Sequence, residues 1–311
     1  MITTIFKKSS PINYTLVGVL MFLFFSISQF SLNTSGFSIY SILPKTLVLL
    51  LLIATIMVTN FITKKNALSK DSTYAVLFCF LFLIFFPSLH NNPNLIFANF
   101  LIILAMRRLI SLQTLKLPKE KIFDASILIF AASLFCFWSI LFIILVFVSI
   151  ILHVSRDYRN WVIPFLAFFG VLICFIFFSL LVDKTFIDRF LFTINYNFEI
   201  NYFKSLLQNL SFSLYVTIAL FFMITLFLSL SKKRSIQNSS FKKLIFWFFI
   251  GVIVFSISPN KSNEFLIFTF APLSIIVTSF IEENQIKWQQ ELTLSMVILC
   301  SVFCFISELY H

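Results

Sequence analysis

Two short polar turns carry the side chains in this sequence that are best suited to chemistry. One holds His90 and Asn91, and the other holds Asn260, Lys261 and Glu264. A carboxylate or an imidazole can act as a general base, while amides and an ammonium group can bind a sugar hydroxyl or a phosphate. We predict Glu264 as the catalytic base, His90 as the alternative base, and Asn91, Asn260 and Lys261 as substrate-binding residues. The alternative is that both turns are ordinary loops and that Glu264 only caps the helix that follows it.

A third polar stretch, residues 183–211, adds Arg189, a charge-assisted donor that could also bind phosphate. Within it, from Phe192 to Tyr202, every even position is apolar or aromatic and every odd position is polar. A period of two is typical of an extended strand, because a helix would scatter the two classes around its circumference. This segment is either a lid over an outer cavity or a stretch that lies on the membrane surface.

The elements that position these turns are long apolar runs. Of the 311 residues, 60% are hydrophobic types and only 11% are charged, against about 25% charged in soluble domains. A soluble protein of this size has too little interior to hide so much apolar surface. We therefore predict an all-α fold, a polytopic bundle of transmembrane helices that forms one integral membrane domain over residues 1–311. Membrane lipids are its expected surroundings.

The number of spans depends on residues 122–154. A single helix over this stretch would be about 50 Å long, against about 30 Å of hydrocarbon. Two short helices with a turn near Cys136 to Ser139 give about eleven spans in all, with the N-terminus inside and the C-terminus outside. The positive-inside rule favours this arrangement, because the outer face then keeps few of the 23 basic residues: Lys45, Lys184, Arg189, Lys204 and Lys261. One long tilted helix remains the alternative.

Charge and motifs exclude several classes of function. The net charge of +11 is spread over short loops between apolar runs, so we do not predict nucleic acid as a partner. The sequence has no P-loop, HExxH or CxxC motif, and its five cysteines lie inside apolar runs. We therefore predict neither a metal site nor a cofactor. Near the inner face, Asp124 either caps its own helix or pairs with Arg107 or Arg108.

Four stretches together resemble an uncharacterised family of multi-spanning inner-membrane proteins from Bacteroidota. The resemblance covers most of the chain and implies a bacterial cytoplasmic membrane protein, but no established activity. The stretches are Lys7-Lys8-Ser9-Ser10-Pro11-Ile12-Asn13-Tyr14, Arg107-Arg108-Leu109-Ile110-Ser111-Leu112, Ile122-Phe123-Asp124-Ala125 and Ser258-Pro259-Asn260-Lys261-Ser262-Asn263-Glu264.

In its layout the chain is also distantly similar to the GT-C superfamily of polyprenyl-phosphate-sugar-dependent glycosyltransferases. That resemblance implies an outer-face active site that handles a polyprenyl-linked sugar. GT-C enzymes usually carry their acidic catalytic base in the first outer loop, yet residues 31–44 contain no Asp or Glu. Asp183, Asp188, Glu199 or Glu264 would have to replace it. The alternative functions are a non-catalytic scaffold with envelope protein partners, and a transporter or flippase.

Overall fold

The fold was analysed in a computed structural model. It describes residues 2–32, 39–183, 187, 190, 206–233, 235–258, 262–284 and 286–309. The described residues are helical and contain no strand. The predicted alternating segment from Phe192 to Tyr202 lies outside them.

The α-helices of the described residues follow one another with short connections. In chain order they are α1 (Ile2–Phe6), α2 (Pro11–Leu32), α3 (Ile39–Lys65), α4 (Tyr74–Ile84), α5 (Pro93–Ile110), α6 (Pro118–Phe135), α7 (Ile143–His153), α8 (Arg159–Val182), α9 (Leu206–Ser229), α10 (Ser235–Ile257), α11 (Ile267–Glu283) and α12 (Lys287–Leu309). The connections between these helices include three 3₁₀ segments: Pro87–Asn91, Phe137–Phe142 and Asn263–Leu266.

Within the described residues, eight helical segments of 20 to 24 residues are long and apolar enough to cross a membrane. They include all or most of α2, α3, α5 and α8 to α12. The chain is therefore a multi-pass integral membrane protein. The remaining three of the eleven predicted spans correspond to α4, α6 and α7, which are shorter or more polar. The number of crossings and their orientation stay predictions.

The stretch from 122 to 154 is not one long helix. Helix α6 ends at Phe135, and Cys136 is extended, with φ −138° and ψ 102°. After the 3₁₀ segment Phe137–Phe142, α7 brings the chain back, because Lys119 Nζ lies 3.4 Å from Asp157 Oδ2. The residues on either side of the stretch thus meet at the same end of the bundle.

Helix α4 is short because a proline follows it. The helix begins at Tyr74 and ends at Ile84, three residues before Pro87. Proline disfavours helical backbone in the residue before it, and Phe86 has φ −131° and ψ 83°. Protein surrounds all of α4, whose residues are buried throughout. The backbone of Pro87–Asn91 can therefore leave the helix without meeting lipid.

Helix α11 is the best enclosed of the candidate spans. In its most apolar window 83% of the residues are buried, against 11% for α8. It approaches α10 closely at Gly251, where an added Cβ would lie 2.7 Å from Thr269 Cγ2. The hydroxyl groups of Thr269 and Tyr215 are 2.6 Å apart and join α11 to α9. These contacts fix the start of α11, which carries Glu264.

The loops gather at two ends of the bundle. At one end, here the basic end, Lys64 Nζ donates to Ser9 Oγ at 2.6 Å and Gln237 donates to the Ala67 carbonyl at 2.7 Å. The other end is formed by the end of α2, the segment Pro87–Asn94 and the start of α11, and we call it the amide-rich end. The loops that the positive-inside rule places on one side of the membrane therefore lie together at one end of the bundle.

Candidate functional site

Ser88 contacts polar groups from other segments at the amide-rich end. Its backbone N–H donates to Glu308 Oε1 at 3.3 Å, and its side chain lies near the carboxyl groups of both Glu308 and Glu264. Glu264 and Glu308 are close enough for their charges to interact, and both side chains are half-buried. The break that Pro87 forces after α4 therefore places one serine between two carboxyl groups.

The two glutamates occupy opposite kinds of helix end. Glu264 lies in the first turn of Asn263–Leu266, which leads directly into α11, and a helix N-terminus favours a carboxylate. Glu308 lies in the last turn of α12, where the helix dipole opposes negative charge. The backbone N–H of Ser88, which donates to Glu308 Oε1, offsets part of that cost. Glu264 Oε2 also accepts a hydrogen bond from the Asn92 side-chain amide.

His90 lies beneath this pair, in the same 3₁₀ segment as Ser88. Its side chain is buried at 3% exposure and contacts the Phe25 ring. His90 Nδ1 lies 2.7 Å from Ser28 Oγ, and Ser28 Oγ donates its hydrogen to the Phe25 carbonyl at 2.8 Å. Nδ1 is therefore the donor to Ser28, and Nε2 is a buried acceptor with no partner among the described residues. Burial lowers the pKa of His90 to about 4, so its ring is neutral at neutral pH.

Of the predicted substrate-binding residues, only Asn91 lies within the described part of the chain. Asn91 is exposed at the rim, where its Oδ1 accepts from Gln29 Nε2 at 3.3 Å. Arg189, Asn260 and Lys261 lie outside the described residues. The structure therefore brings Glu264, His90 and Asn91 to one end of the bundle.

The other candidate acids are not part of this cluster. Asp183 is described and exposed directly after α8, whereas Asp188 and Glu199 lie outside the described residues. Asp124 pairs with Arg108 at 3.0 Å and at the basic end. Of its two predicted roles, the ion pair with an arginine is the one observed.

Sequence reasoning missed Glu308 and Ser88. Glu308 closes an otherwise ordinary apolar run, and its partner Ser88 is distant in sequence, so no local pattern joins them. A signal was present nonetheless. A carboxylate in the last turn of a helix is unfavourable without donors, which marks Glu308 as a residue that needs a partner.

The arrangement can perform acid–base chemistry at a membrane surface. Two carboxyl groups whose charges interact disfavour simultaneous ionisation, so one can act as an acid while the other is a base. Exposed amides lie at the rim, at Asn91 and Asn92, and can bind hydroxyl or phosphate oxygens. Among the described residues no group of three or more His, Cys, Asp or Glu side chains is arranged to hold a metal ion.

Comparison with known proteins identifies a family. The chain belongs to a family of unknown function, DUF6427, whose model matches residues 1–310. No curated protein and no solved structure is significantly similar to the chain.

Proposed function

We propose that this protein is a GT-C-like protein of the bacterial cytoplasmic membrane that handles a polyprenyl-linked sugar at the outer face. Its site would be the cluster of Glu264, Glu308, Ser88 and Asn92. The single observation that supports this proposal is the convergence of Glu264 and Glu308 on Ser88. Because no solved structure is similar to the chain, the proposal rests on the chemistry of the site, as a function claim must.

The proposed orientation follows from charge. With eleven crossings, the basic end faces the cytoplasm and the amide-rich end faces outward, as the positive-inside rule requires. Residues 122–154 then cross twice, through α6 and α7, and the C-terminus lies outside. The Lys119–Asp157 ion pair supports this reading, because a single crossing would separate the two residues by the thickness of the membrane.

Glu264 is the proposed general base. It lies nearest the exposed amides, and Asn92 orients it by donating to Oε2. In sugar transfer the acceptor hydroxyl gives its proton to Glu264 as its oxygen forms the new bond to the sugar carbon. The bond from that carbon to the lipid phosphate breaks, and the phosphate oxygen keeps the electron pair.

The other residues would have supporting roles. Glu308 touches Ser88 and is a positioning residue for Glu264. Asn91 would bind the sugar, and Arg189, Lys261 and Asn260 would bind the phosphate and its neighbouring oxygens. His90 is buried, so in this arrangement it supports the 3₁₀ segment that carries Ser88 and does not contact substrate.

The test is a comparison of lipid-linked sugars in wild-type cells and deletion cells. An enzyme of this kind leaves its donor or acceptor lipid accumulating in the deletion strain. Glu264→Gln keeps the size of the side chain but cannot take a proton, so we expect it to reach the membrane at normal levels and to show the same accumulation. Glu120→Gln is the matched control, since Glu120 lies in the first turn of α6 at the basic end, and it should restore the wild-type pattern.

Two results would contradict the proposal. The first is full complementation by Glu264→Gln. The second is an unchanged lipid profile in deletion cells together with the loss of other envelope proteins from the membrane, which would favour a scaffold.

Orientation is tested by thiol labelling in a variant without the five native cysteines. Asn91→Cys and Lys116→Cys change exposed positions at opposite ends of the bundle. An impermeant thiol reagent should label Asn91→Cys in intact cells and Lys116→Cys only after permeabilisation. The reverse pattern would place the basic end outside and remove the site from the outer face.

A further inference from the structure

A cavity of about 350 Å³ lies at the basic end, on the opposite side of the bundle from the Glu264–Glu308 site. Four parts of the chain line it: the α1–α2 connection, the α3–α4 connection with the start of α4, the end of α11, and the start of α12. Since a water molecule occupies about 30 Å³ of liquid, the cavity has the volume of roughly ten waters. A small ligand group therefore fits inside it.

The charge of the lining is positive. Three lysines contribute to it, Lys7, Lys70 and Lys287, and one acid, Glu282. None of these lysines forms an ion pair in the described part of the chain. Their ammonium groups thus lack an anionic partner of their own.

Glu282 offsets one of the three lysines and leaves the lining with a net charge of +2. Its Oε1 accepts from Ser72 Oγ at 2.5 Å, and its Oε2 accepts from the backbone N–H of Lys70 at 2.7 Å. The ammonium group of Lys70 is 3.2 Å from the Glu282 carbonyl oxygen, not from its carboxylate. The carboxylate therefore fixes the α3–α4 connection against α11, and the lysines remain available to a ligand.

A helix end adds to the same preference. The first turn of α12 lines the cavity through Lys287 and Gln290, so the positive end of the α12 dipole faces it. The Gln290 side-chain amide donates to the carbonyl oxygens of Ile281 and Asn284 and holds the start of α12 against the end of α11. Phosphate oxygens are the ligands that such a set of ammonium groups and helix N–H groups binds best. A basic pocket between transmembrane helices is also typical of lipid headgroup sites.

We propose that this cavity binds the phosphate group of an anionic ligand. The group could come from a lipid headgroup in the adjoining leaflet or from a soluble phosphate compound. The chemistry is the same in both cases: one phosphate held by Lys7, Lys70 and Lys287. The inference is independent of the function proposed for the amide-rich end.

Native mass spectrometry of the purified full chain tests the site. The probes are phosphatidic acid and phosphatidylglycerol, with phosphatidylcholine as the neutral lipid and inorganic phosphate as the soluble source. We expect one anionic lipid or one phosphate ion to bind in preference to phosphatidylcholine. Preference for the lipids identifies a headgroup site, and binding of inorganic phosphate alone identifies a soluble ligand. No preference for any phosphate probe over phosphatidylcholine overturns the proposal.

Substitutions separate a defined site from diffuse positive charge. Lys7→Gln, Lys70→Gln and Lys287→Gln together should weaken binding by about a hundredfold, since each lysine near a headgroup is worth about fivefold. The matched control changes three exposed lysines of the same end that do not line the cavity: Lys65, Lys116 and Lys242. It should leave binding unchanged, and an equal loss in the control overturns the proposal.

A charge-preserving triple variant is the control for misfolding of the glutamine triple variant. Lys7→Arg, Lys70→Arg and Lys287→Arg together keep the positive charge and the donors. This variant should bind within about threefold of wild type, because arginine is at least as good a phosphate donor. If the glutamine triple variant binds as tightly as this one, the three lysines do not form the site.

Discussion

Acidic residues have different kinds of partner at the two ends of the bundle. At the basic end the carboxyl groups have partners from other segments: Asp124 pairs with Arg108, Asp157 with Lys119, and Glu283 with Lys233. At the amide-rich end Glu308 accepts a hydrogen bond from the Ser88 backbone N–H, Glu264 accepts one from the Asn92 side chain, and the charges of the two acids interact. Neither forms an ion pair with a described basic residue.

The difference separates structural acids from functional ones. An acid with a basic or hydrogen-bonding partner across two segments holds those segments together, and its removal costs stability. Two acids placed side by side gain nothing from each other's charge. Such an arrangement costs stability, and it is typical of sites that do chemistry. We therefore expect substitution of an acid at the basic end to lower stability, and substitution of Glu264 at the amide-rich end to lower activity with a smaller loss of stability.

The largest expected effect on stability is at Glu282. Glu282→Ala removes the acceptor of both Ser72 Oγ and the Lys70 backbone N–H, and we expect the free energy of unfolding to fall by about 3 kcal/mol, since each hydrogen bond to a charged group is worth about 1.5–3 kcal/mol. Glu264→Ala should cost less, because relief of the repulsion with Glu308 offsets part of the loss of the Asn92 hydrogen bond. Unfolding in mixed micelles measures both. Equal losses of unfolding free energy in the two variants would contradict this distinction between the two ends.

Sequence reasoning could predict the helices and which loops share an end, because both follow from local patterns. Apolar runs predict spans, and the break at Cys136 was expected because a single helix would be too long. His90, Asn91 and Glu264 were assigned to one face by the alternation of basic loops alone. The pairing of Glu264 with Glu308 could not be predicted in this way. It depends on how α11 and α12 pack around the kink at Pro87, which no local pattern specifies.

The second effect is a dependence of stability on pH at the amide-rich end. The pKa of His90 is about 4 in the folded protein because of burial, against about 6.5 in an unfolded chain. Between these values the unfolded state binds more protons, so stability is complete above about pH 6.5 and falls as the pH drops towards 4. Between pH 7 and pH 5 we expect a loss of about 2 kcal/mol.

Asp157, at the basic end, responds over a lower range of pH. The backbone N–H of Arg159 lowers the pKa of Asp157 below its usual value, so its contribution is lost only as the pH falls below about 4. Hydrogen exchange should therefore show faster opening of Pro87–Asn94 at pH 5 than at pH 7. His90→Asn keeps a donor for Ser28 and does not titrate, so it should remove this change at Pro87–Asn94. A change at Pro87–Asn94 that survives in that variant would mean that other groups cause it.

The smallest effect is at the exposed Arg108–Asp124 pair. The two side chains are 47% and 40% exposed, and such pairs contribute about 0–1 kcal/mol. Asp124→Asn should therefore lower the stability by less than about 1 kcal/mol, and the loss should shrink further in high salt. A loss as large as that expected for Glu282→Ala would show that ion pairs, not the Glu282 hydrogen bonds, hold the basic end.

The central claim is that Glu264 and Glu308 act as one functional unit. Its most direct test is a double-substitution cycle with Glu264→Gln, Glu308→Gln and both together, each expressed at normal membrane levels in deletion cells and assayed for turnover of the accumulated lipid. Loss of a general base costs about 10²–10⁴-fold, and residues that act together show losses that are not additive. We predict a loss of at least about a hundredfold for Glu264→Gln, a smaller loss for Glu308→Gln, and a double variant no worse than Glu264→Gln alone. Wild-type turnover in either single variant, or losses that multiply in the double variant, would contradict the account.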